Sequence, residues 1–337
     1  MAENAKITPT AKPTVLVRAG ALIGIFLVHT TAWFLNFVGY QKTLVMGEKA
    51  GNIICFVFRR MKSRVMHNLN FALGNELSPA EQEELAHKVV KAIAKNWFEL
   101  FFYVGPGKKT VQEHITVEGR ENLDKALARG KGAIAVSAHL GNYPILAQQL
   151  SKKGYNFIMV IRDPKSRIES LIYADGRDHI DLHALLTTPE RQFFKKALRV
   201  LHSNGVLCLI ADENKRHGGI FVDFFGHSAS TPPGPAALAV RTGAAIIPVF
   251  IVRSEDNSQR VIIEKEIAWN KSGDTESDMR EITARFTKVI EDYVRRDLSQ
   301  WMWANWRWRT QRGGQSNAAK LKKKKVFRVI KKIYDRM

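Results

Sequence analysis

The spacing of hydrophobic residues along the chain changes near residue 119. Before that point, apolar positions mostly recur at three- and four-residue intervals, as they do on one face of a helix. The clearest example is 78–103, where Ser78-Pro-Ala-Glu81 forms a capping box with proline at the first helical position. We therefore predict an amphipathic helix over 78–103, preceded by a helical segment over 50–74 with basic residues on one side.

After residue 119, short apolar runs alternate with helical stretches. The strand-like runs are 133–138, 157–162, 206–211, 245–252 and 261–264. The helical stretches are 121–129, 142–152, 190–203, 234–243 and 276–297. Near-continuous apolar strands that alternate with helices are typical of a sheet covered on both faces. The expected fold class is α/β, a mixed or mostly parallel sheet flanked by helices, without internal repeats.

The N-terminal part of the chain carries a long apolar segment. Residues 19–40 contain no Asp, Glu, Lys or Arg and are numerous enough to cross a bilayer, although His29 interrupts them. Basic residues on both sides give no bias between inside and outside. We predict an anchor helix that spans the membrane or lies in its face. The expected organisation is an anchor segment over 1–45, an α/β domain over 46–310 and a basic tail over 311–337.

Composition adds a strong positive charge to this picture. The 337-residue chain has 52 Lys and Arg against 32 Asp and Glu, a formal net charge of +20. Residues 320–337 hold nine Lys or Arg and one Asp, with apolar residues near helical spacing, which is typical of a membrane-surface helix. Nucleic acid would also suit this charge, but no recognition helix or zinc-finger framework accompanies it. We therefore predict an anionic membrane as a partner and no nucleic acid.

The cysteine content indicates the kind of cellular compartment in which the protein lies. The two cysteines, Cys55 and Cys208, are far apart in sequence, so they provide neither a disulfide framework nor a cysteine-rich zinc site. A reducing, cytosolic environment is the simpler interpretation.

Tryptophan is concentrated near the end of the α/β region. Four of the seven tryptophans lie within 301–308, followed by Arg309. Tryptophan and arginine together suit the headgroup boundary of a membrane, whereas an aromatic core cluster would use the same residues. The sequence leaves both interpretations open.

Polar residues follow three of the predicted strands. They are Ser137-Ala-His139-Leu-Gly141-Asn142, Arg162-Asp163-Pro164 and Asp212-Glu213-Asn214-Lys215-Arg216. Ligands of open α/β sheets bind beyond the carboxyl ends of the strands, so these residues are candidates for a site. We predict Asn142 as a helix N-cap, which would place His139 beside a helix N-terminus, a position favourable to a substrate oxyanion. A single histidine is more often structural than catalytic, but this position favours catalysis.

A glycine-rich stretch forms a second candidate. Gly218-Gly219 leads into an aromatic run that ends at Gly226, and Ser230-Thr231-Pro-Pro-Gly234-Pro235 follows before a predicted helix. Such dense glycine suits a loop whose backbone approaches a ligand. A β-hairpin followed by a tight turn explains the same residues.

Taken in order, these motifs resemble a known family. The relevant residues are His139-Leu-Gly-Asn142, Arg162, Asp212-x-Asn214, Gly218-Gly-x-Phe-Val-x-Phe-Phe-Gly226, Ser230-Thr-Pro-x-Gly-Pro235, Thr242-Gly-Ala-x-Ile-x-Pro-Val249 and the closing Gln300-Trp-x-Trp303 with Arg307-Trp308. Over roughly 15–310 the chain is similar to the bacterial lipid A biosynthesis acyltransferases, the lauroyl and myristoyl transferases of the lysophospholipid acyltransferase group. The resemblance implies a membrane-associated enzyme at the cytoplasmic face of the bacterial inner membrane. It would transfer a fatty acyl chain from acyl carrier protein or acyl-CoA to a hydroxyl of a lipid A precursor or another glycolipid or phospholipid.

The resemblance assigns the general base to His139. The family places an acidic residue five positions after this histidine to orient it, and Pro144 stands there in this chain. Three interpretations follow. Another carboxylate, Asp212 or Glu213 and then Asp163, replaces the acid; or His139 acts alone; or the chain is a lipid-binding relative that has lost the reaction.

Further site residues are implied by the same resemblance. Arg162 matches an arginine near the acyl or phosphate end of the substrate, although a salt bridge at a strand end is the alternative. Asn142, Thr231 and Gly234 match substrate-binding positions. No cofactor is implied.

One pair of histidines has a spacing that is compatible with a metal ion. His179-x-x-x-His183 with Asp181 between the histidines has a spacing that metals use, but it lies in a polar stretch. We predict no metal there.

Overall fold

The computed structural model describes residues 14–164 and 166–310. The predicted basic tail, 311–337, lies outside the described residues. Five helices come first: α1 (Val15–Val38), α2 (Tyr40–Val57), α3 (Arg59–Leu73), α4 (Pro79–Val104) and α5 (Lys108–Glu113).

The helix predicted over 78–103 is confirmed as α4. Its capping box is formed on both sides, since the Ser78 backbone N–H donates to Glu81 Oε2 at 2.8 Å and the Glu81 N–H donates to Ser78 Oγ at 3.3 Å. The segment predicted over 50–74 is helical, but it is divided at Phe58, where α2 ends and α3 begins.

The rest of the described chain alternates strands and helices, as predicted. The strands are β1 (Ile115–Glu118), β2 (Ala133–Ser137), β3 (Phe157–Ile161), β4 (Ala184–Leu186), β5 (Val206–Ile210), β6 (Ile220–Phe224), β7 (His227–Thr231), β8 (Ala245–Arg253) and β9 (Gln259–Ile263). The helices are α6 (Arg120–Leu127), α7 (Leu146–Lys152), α8 (Arg167–His179), α9 (Glu190–His202), α10 (Gly234–Thr242) and α11 (Thr275–Arg296). All five predicted strands are present. The additional β1 and β4 have four and three residues, too few to show an apolar period.

Seven strands form one mixed sheet in the order β1-β9-β8-β2-β5-β3-β4. Only the β8–β9 pair is antiparallel, and β6 and β7 form a separate hairpin. Alternate residues of β2 belong to two different buried clusters, Ile134 and Val136 to one and Ala133 and Ala135 to the other. The sheet is therefore covered on both faces, which confirms the α/β prediction.

The tryptophan-rich segment packs mainly into the core. Trp301, Trp303 and Trp308 are buried; Trp301 and Trp308 contact Phe224 of β6 and Trp303 contacts Phe225. Trp306 remains half exposed beside Arg64. For three of the four tryptophans the aromatic-core interpretation therefore holds, and headgroup contact does not explain their positions.

Helix α1 is long and apolar enough to cross a membrane by length and composition, and it is the one such helix in 14–164 and 166–310. Only 17% of its most apolar window is buried within the protein. One face packs on α4 and α8, so the remaining apolar side chains face outward.

Candidate active site

The site begins where β2 and β5 end side by side. The two strands are parallel, with Ser137 opposite Ile210, and the Ala211 N–H donates to the Ser137 carbonyl at 2.9 Å. Because adjacent parallel strands leave the sheet at the same edge, the residues that follow them, His139 and Asp212, meet.

His139 and Asp212 form a hydrogen-bonded pair. His139 Nδ1 lies 2.8 Å from Asp212 Oδ1, and the His139 backbone N–H donates to Asp212 Oδ2 at 3.0 Å. The indole Nε1–H of Trp301 donates to the same Oδ2 at 2.7 Å. The Asp212 side chain is fully buried, while that of His139 is 14% exposed. Three donors thus fix the carboxylate, and the carboxylate fixes the imidazole.

The interaction between His139 and Asp212 also shifts the pKa of both groups. Burial by itself would raise the pKa of Asp212, but the charge of His139 and the hydrogen bonds from His139 and Trp301 outweigh it and hold this pKa below its usual range. Burial would lower the pKa of His139, but the Asp212 charge and hydrogen bond outweigh it and raise the pKa above its usual value. Asp212 is therefore ionised at neutral pH and stabilises a positively charged imidazole.

The other ring nitrogen of His139 lies near a second carboxylate. Nε2 is 3.8 Å from Glu213 Oε1, and the other carboxylate oxygen of Glu213 is paired with Arg162. Glu213 is partly exposed, so it does not hold the ring as Asp212 does. The two adjacent acids therefore have different contacts: Asp212 is hydrogen-bonded to Nδ1 of His139, whereas Glu213 lies near Nε2 and is paired with Arg162.

These residues line a large cavity. Its volume is about 1350 Å³, above the roughly 300–1,000 Å³ that is usual for small-molecule sites. His139, Arg162, Glu213 and Gly234 all contribute to its wall. The apolar part of the lining includes Met159, Phe193, Phe194, Leu209, Phe221 and Met279. A cavity with an apolar wall and a few polar groups suits a ligand with a long hydrocarbon part and a polar head.

Two other predicted residues have different roles. Asp163 lines the cavity and accepts hydrogen bonds from the Thr187 hydroxyl at 3.1 Å and the Thr188 backbone N–H at 2.9 Å, so it fixes the end of β4, whereas the carboxylates beside His139 are Asp212 and Glu213. Thr231 is fully buried and does not line the cavity; its hydroxyl accepts a hydrogen bond from Arg307 at 2.6 Å.

The prediction that Asn142 caps a helix is wrong. Asn142 precedes a short 3-10 turn, Tyr143–Ile145, and its side chain makes no capping hydrogen bond. Helix α7 begins only at Leu146, so His139 does not lie at a helix N-terminus. The physical reason is that the Asn142 side chain makes a stronger hydrogen bond elsewhere, since its amide donates to the buried carboxylate of Glu99 at 2.6 Å.

Glu99 belongs to a polar network that the sequence did not reveal. Its carboxylate, fully buried on α4, accepts hydrogen bonds from Tyr40 at 2.6 Å and Gln259 at 3.1 Å and is paired with Arg253. The available signal was a lone acid within the otherwise apolar run 97–102. Through Asn142, the network holds the segment that carries His139.

Replacing Glu99 by Gln is expected to destabilise the protein by about 3 kcal/mol, because it leaves the Arg253 guanidinium buried without its counter-charge. Urea denaturation measures this change. Glu84→Gln on the exposed face of the same helix is the matched control, since an exposed pair such as Glu84–Lys88 contributes little. Equal stability of both variants would contradict the role assigned to the network.

Arg307 belongs to the closing Arg307-Trp308 motif, but sequence reasoning gave it no role in the site. It is fully buried, donates to the Ser230 carbonyl at 3.0 Å and lies over the Phe224 ring, and burial lowers its pKa to about 10. It also donates to the Glu213 backbone carbonyl at 3.4 Å. The segment 301–307 therefore stabilises the site. Trp301 donates a hydrogen bond to Asp212, and Arg307 donates to the backbone carbonyls of Ser230 and Glu213.

The sequence is similar to one protein family and to several named acyltransferases. The sequence model of the family described as bacterial lipid A biosynthesis acyltransferase matches residues 11–310. A phosphatidylinositol mannoside acyltransferase of Mycobacterium tuberculosis H37Rv is 32% identical over 162 residues, 47% of this chain and 51% of the relative. The protein of the same name from Mycolicibacterium smegmatis is 29% identical over 213 residues, 63% of this chain and 69% of the relative. A lipid A biosynthesis acyltransferase of Haemophilus influenzae is 22% identical over 299 residues, 88% of this chain and 89% of the relative. The match to the Mycobacterium tuberculosis protein therefore spans about half the length of that relative.

Proposed function

The chain belongs to the bacterial lipid A biosynthesis acyltransferase family, and we propose that it is an acyltransferase acting on a lipid acceptor, with His139 as its general base and Asp212 as the partner of that base. Acyl carrier protein or acyl-CoA would supply the fatty acyl chain as a thioester. The observation that carries the proposal is the hydrogen bond of 2.8 Å between His139 and the buried Asp212 at the wall of the cavity.

The proposed step needs one base and one fixed counter-charge. His139 Nε2 takes the proton of the acceptor hydroxyl as its oxygen attacks the thioester carbonyl and forms the new C–O bond. The C–S bond then breaks, and the thiolate takes the proton back from the imidazolium. Asp212 keeps Nδ1 protonated and stays ionised throughout, so it replaces the acid that the family has where Pro144 stands in this chain.

The cavity wall supports an amphiphilic substrate. Its apolar side chains would hold the acyl chain, and Arg162, Lys215 and Arg280 line the same wall as donors for a phosphate group. The relatives are named for phosphatidylinositol mannoside and for lipid A, both glycosylated lipids. We therefore propose a phosphate-bearing glycolipid as the acceptor.

A donor–acceptor matrix tests this function. Purified protein in detergent is incubated with acyl carrier protein or CoA thioesters and with a lipid A precursor, a phosphatidylinositol mannoside or a lysophospholipid. We expect thioester-dependent acylation of a glycolipid, with weaker transfer to the lysophospholipid. The alternative, a lipid-binding relative that has lost the reaction, predicts that lipid co-purifies while no donor turns over, and this result would overturn the proposal.

Membrane attachment through α1 is a further part of the proposal, with the cytoplasmic face of the bacterial inner membrane as its place. Large apolar side chains of α1 point outward, among them Phe26, Trp33, Phe34 and Phe37. Others on α2 and at its end do the same, namely Val45, Ile53, Phe56, Val57 and Phe58. The reducing compartment predicted from Cys55 and Cys208 agrees with this side of the membrane.

The double variant Phe26→Asp with Phe37→Asp is expected to weaken binding to phosphatidylglycerol vesicles at least about 100-fold. Each phenylalanine contributes about 1.5–3 kcal/mol when buried, and 1.4 kcal/mol corresponds to tenfold in affinity. Vesicle co-sedimentation measures the effect. Ala128→Asp with Gln192→Asp adds the same charge at exposed positions outside α1–α4 and should bind normally. Equal binding of both double variants would argue against α1 as the contact.

A further inference from the structure

Helix α8 packs against α1 although it has no fully buried residue. Each of its thirteen residues keeps some access to the surroundings. It lies against α1, where Gly20 and Gly24 leave room for Ile168 and Ile172; a Cβ at Gly20 would come within 3.0 Å of Ile168 Cδ1. This close approach brings three chemically active side chains together one turn further along.

These side chains are His29 of α1 and Asp175 and His179 of α8. His29 Nε2 lies 2.8 Å from Asp175 Oδ2. His179 Nδ1 lies 3.6 Å from the same oxygen and donates a hydrogen bond to the Asp175 backbone carbonyl at 2.8 Å, which leaves Nε2 of His179 as the nitrogen with a free lone pair. The two imidazole rings are 4.3 Å apart between centroids. One ligand atom from each residue lies within 4.8 Å of the other two, and all three side chains are between 23% and 43% exposed.

We infer that His29, Asp175 and His179 form a site for a divalent metal ion of the zinc type. Two imidazole nitrogens and one carboxylate oxygen are the ligands that Zn²⁺ accepts, and water would complete a tetrahedron. Asp175 and His179 are four residues apart on one helix, so their side chains share a face, and His29 approaches from the neighbouring helix. The site differs from the one weighed from the sequence, because His183 lies outside this cluster.

A simple ion pair explains the cluster less well. His29 lies in a segment, 19–40, that contains no Asp, Glu, Lys or Arg. A single carboxylate lies beside two imidazoles, and a metal ion would use the Asp175 carboxylate, one nitrogen of His29 and Nε2 of His179, whose Nδ1 is held by the Asp175 carbonyl. A bound ion would also add a polar link between α1 and α8 to the contacts of Ile168 and Ile172 with Gly20 and Gly24.

The site would connect metal binding to the cavity. Helix α8 contributes Glu169 and Tyr173 to the cavity wall, and α1 carries the exposed apolar surface. A metal ion between them would fix this wall to the proposed membrane anchor. The inference does not depend on the acyl-transfer proposal, since metal binding is measured without turnover.

The experiment uses the full chain, purified without a histidine tag and stripped of metal. We expect one equivalent of Co²⁺ per chain, with the visible bands of tetrahedral nitrogen and oxygen ligation and no thiolate charge-transfer band. Zn²⁺ should displace it and slow the hydrogen exchange of 167–179. His29→Asn and Asp175→Asn should each weaken Zn²⁺ binding more than about tenfold. His202→Asn, an exposed histidine on α9, should bind as the wild type does.

Three results would overturn the inference. They are the lack of stoichiometric binding in the wild type, equal binding by the His29 and Asp175 variants, and binding that depends on His183 but not on His29. If a variant unfolds, the ligand bands and hydrogen exchange of the wild type decide the matter, since neither requires a substitution.

Discussion

Replacing His139 by Ala is expected to lower the turnover of acyl transfer by about 10³- to 10⁴-fold, because a positioned general base contributes about 10² to 10⁴ and no other imidazole contacts Asp212 in the part of the chain that the structure describes. The KM for the lipid acceptor should change little, since the base acts on the hydroxyl only as the bond forms. Initial rates of thioester consumption over a range of acceptor concentrations measure both constants.

The matched control is His202→Ala, which removes an exposed imidazole from α9 and should retain full activity. His139→Ala also leaves the buried Asp212 without its partner, so the variant could lose activity through unfolding. His139→Asn separates these causes, because its side-chain amide can still donate to the carboxylate. A folded His139→Asn variant with wild-type turnover would refute the assignment of the base.

Asp212→Asn is expected to reduce kcat/KM by about 10³-fold and to move the acid limb of its pH profile to lower pH. A base must be neutral to act, so activity falls as pH falls through the pKa of His139. Because Asp212 raises that pKa, the acid limb of the wild type should lie above the ordinary histidine value of about 6.5. Without the carboxylate the raising influence is lost, and Asn does not enforce the required tautomer.

Glu213→Gln is the matched comparison for this prediction. Glu213 lies 3.8 Å from Nε2 and is shared with Arg162, so its loss should cost less activity than the loss of Asp212. It should shift the acid limb less, since Asp212 ranks above Glu213 among the influences that raise the pKa of His139. A larger defect in Glu213→Gln than in Asp212→Asn would mean that Glu213 is the acid that replaces the one absent at Pro144.

The order of the strands explains why sequence reasoning could name three candidate acids but not choose among them. Asp163 follows β3, the next long strand after β2 in the chain, yet β5 lies between β2 and β3 in the sheet. Asp212 therefore reaches His139, whereas Asp163 turns toward β4. Chain order does not reveal this, because the crossovers that insert β5 carry no local signal.

Short or exposed elements escaped prediction for a related reason. Helix α8 has no buried residue, and β4 has only three residues, so neither shows a strong apolar period. The tryptophan-rich segment was ambiguous because burial and headgroup contact favour the same side chains. Its packing around Phe224 and Phe225 resolved the ambiguity for Trp301, Trp303 and Trp308.

The sequence by itself determined the α/β class, the long strands, α4 with its capping box, and the edge of the sheet at which His139 and its candidate partners lie. These features depend on local periodicity and on the rule that parallel strands end at the same edge of a sheet. Residues close together in the sequence are enough to recognise the strands and where each one ends. Only the tertiary structure decided that Asp212 is the partner, that Glu99 takes Asn142 away from a helix cap, and that His29 meets Asp175. Each of these is a contact between residues that are 43 to 146 positions apart, and its geometry arises only when the helices and sheet pack.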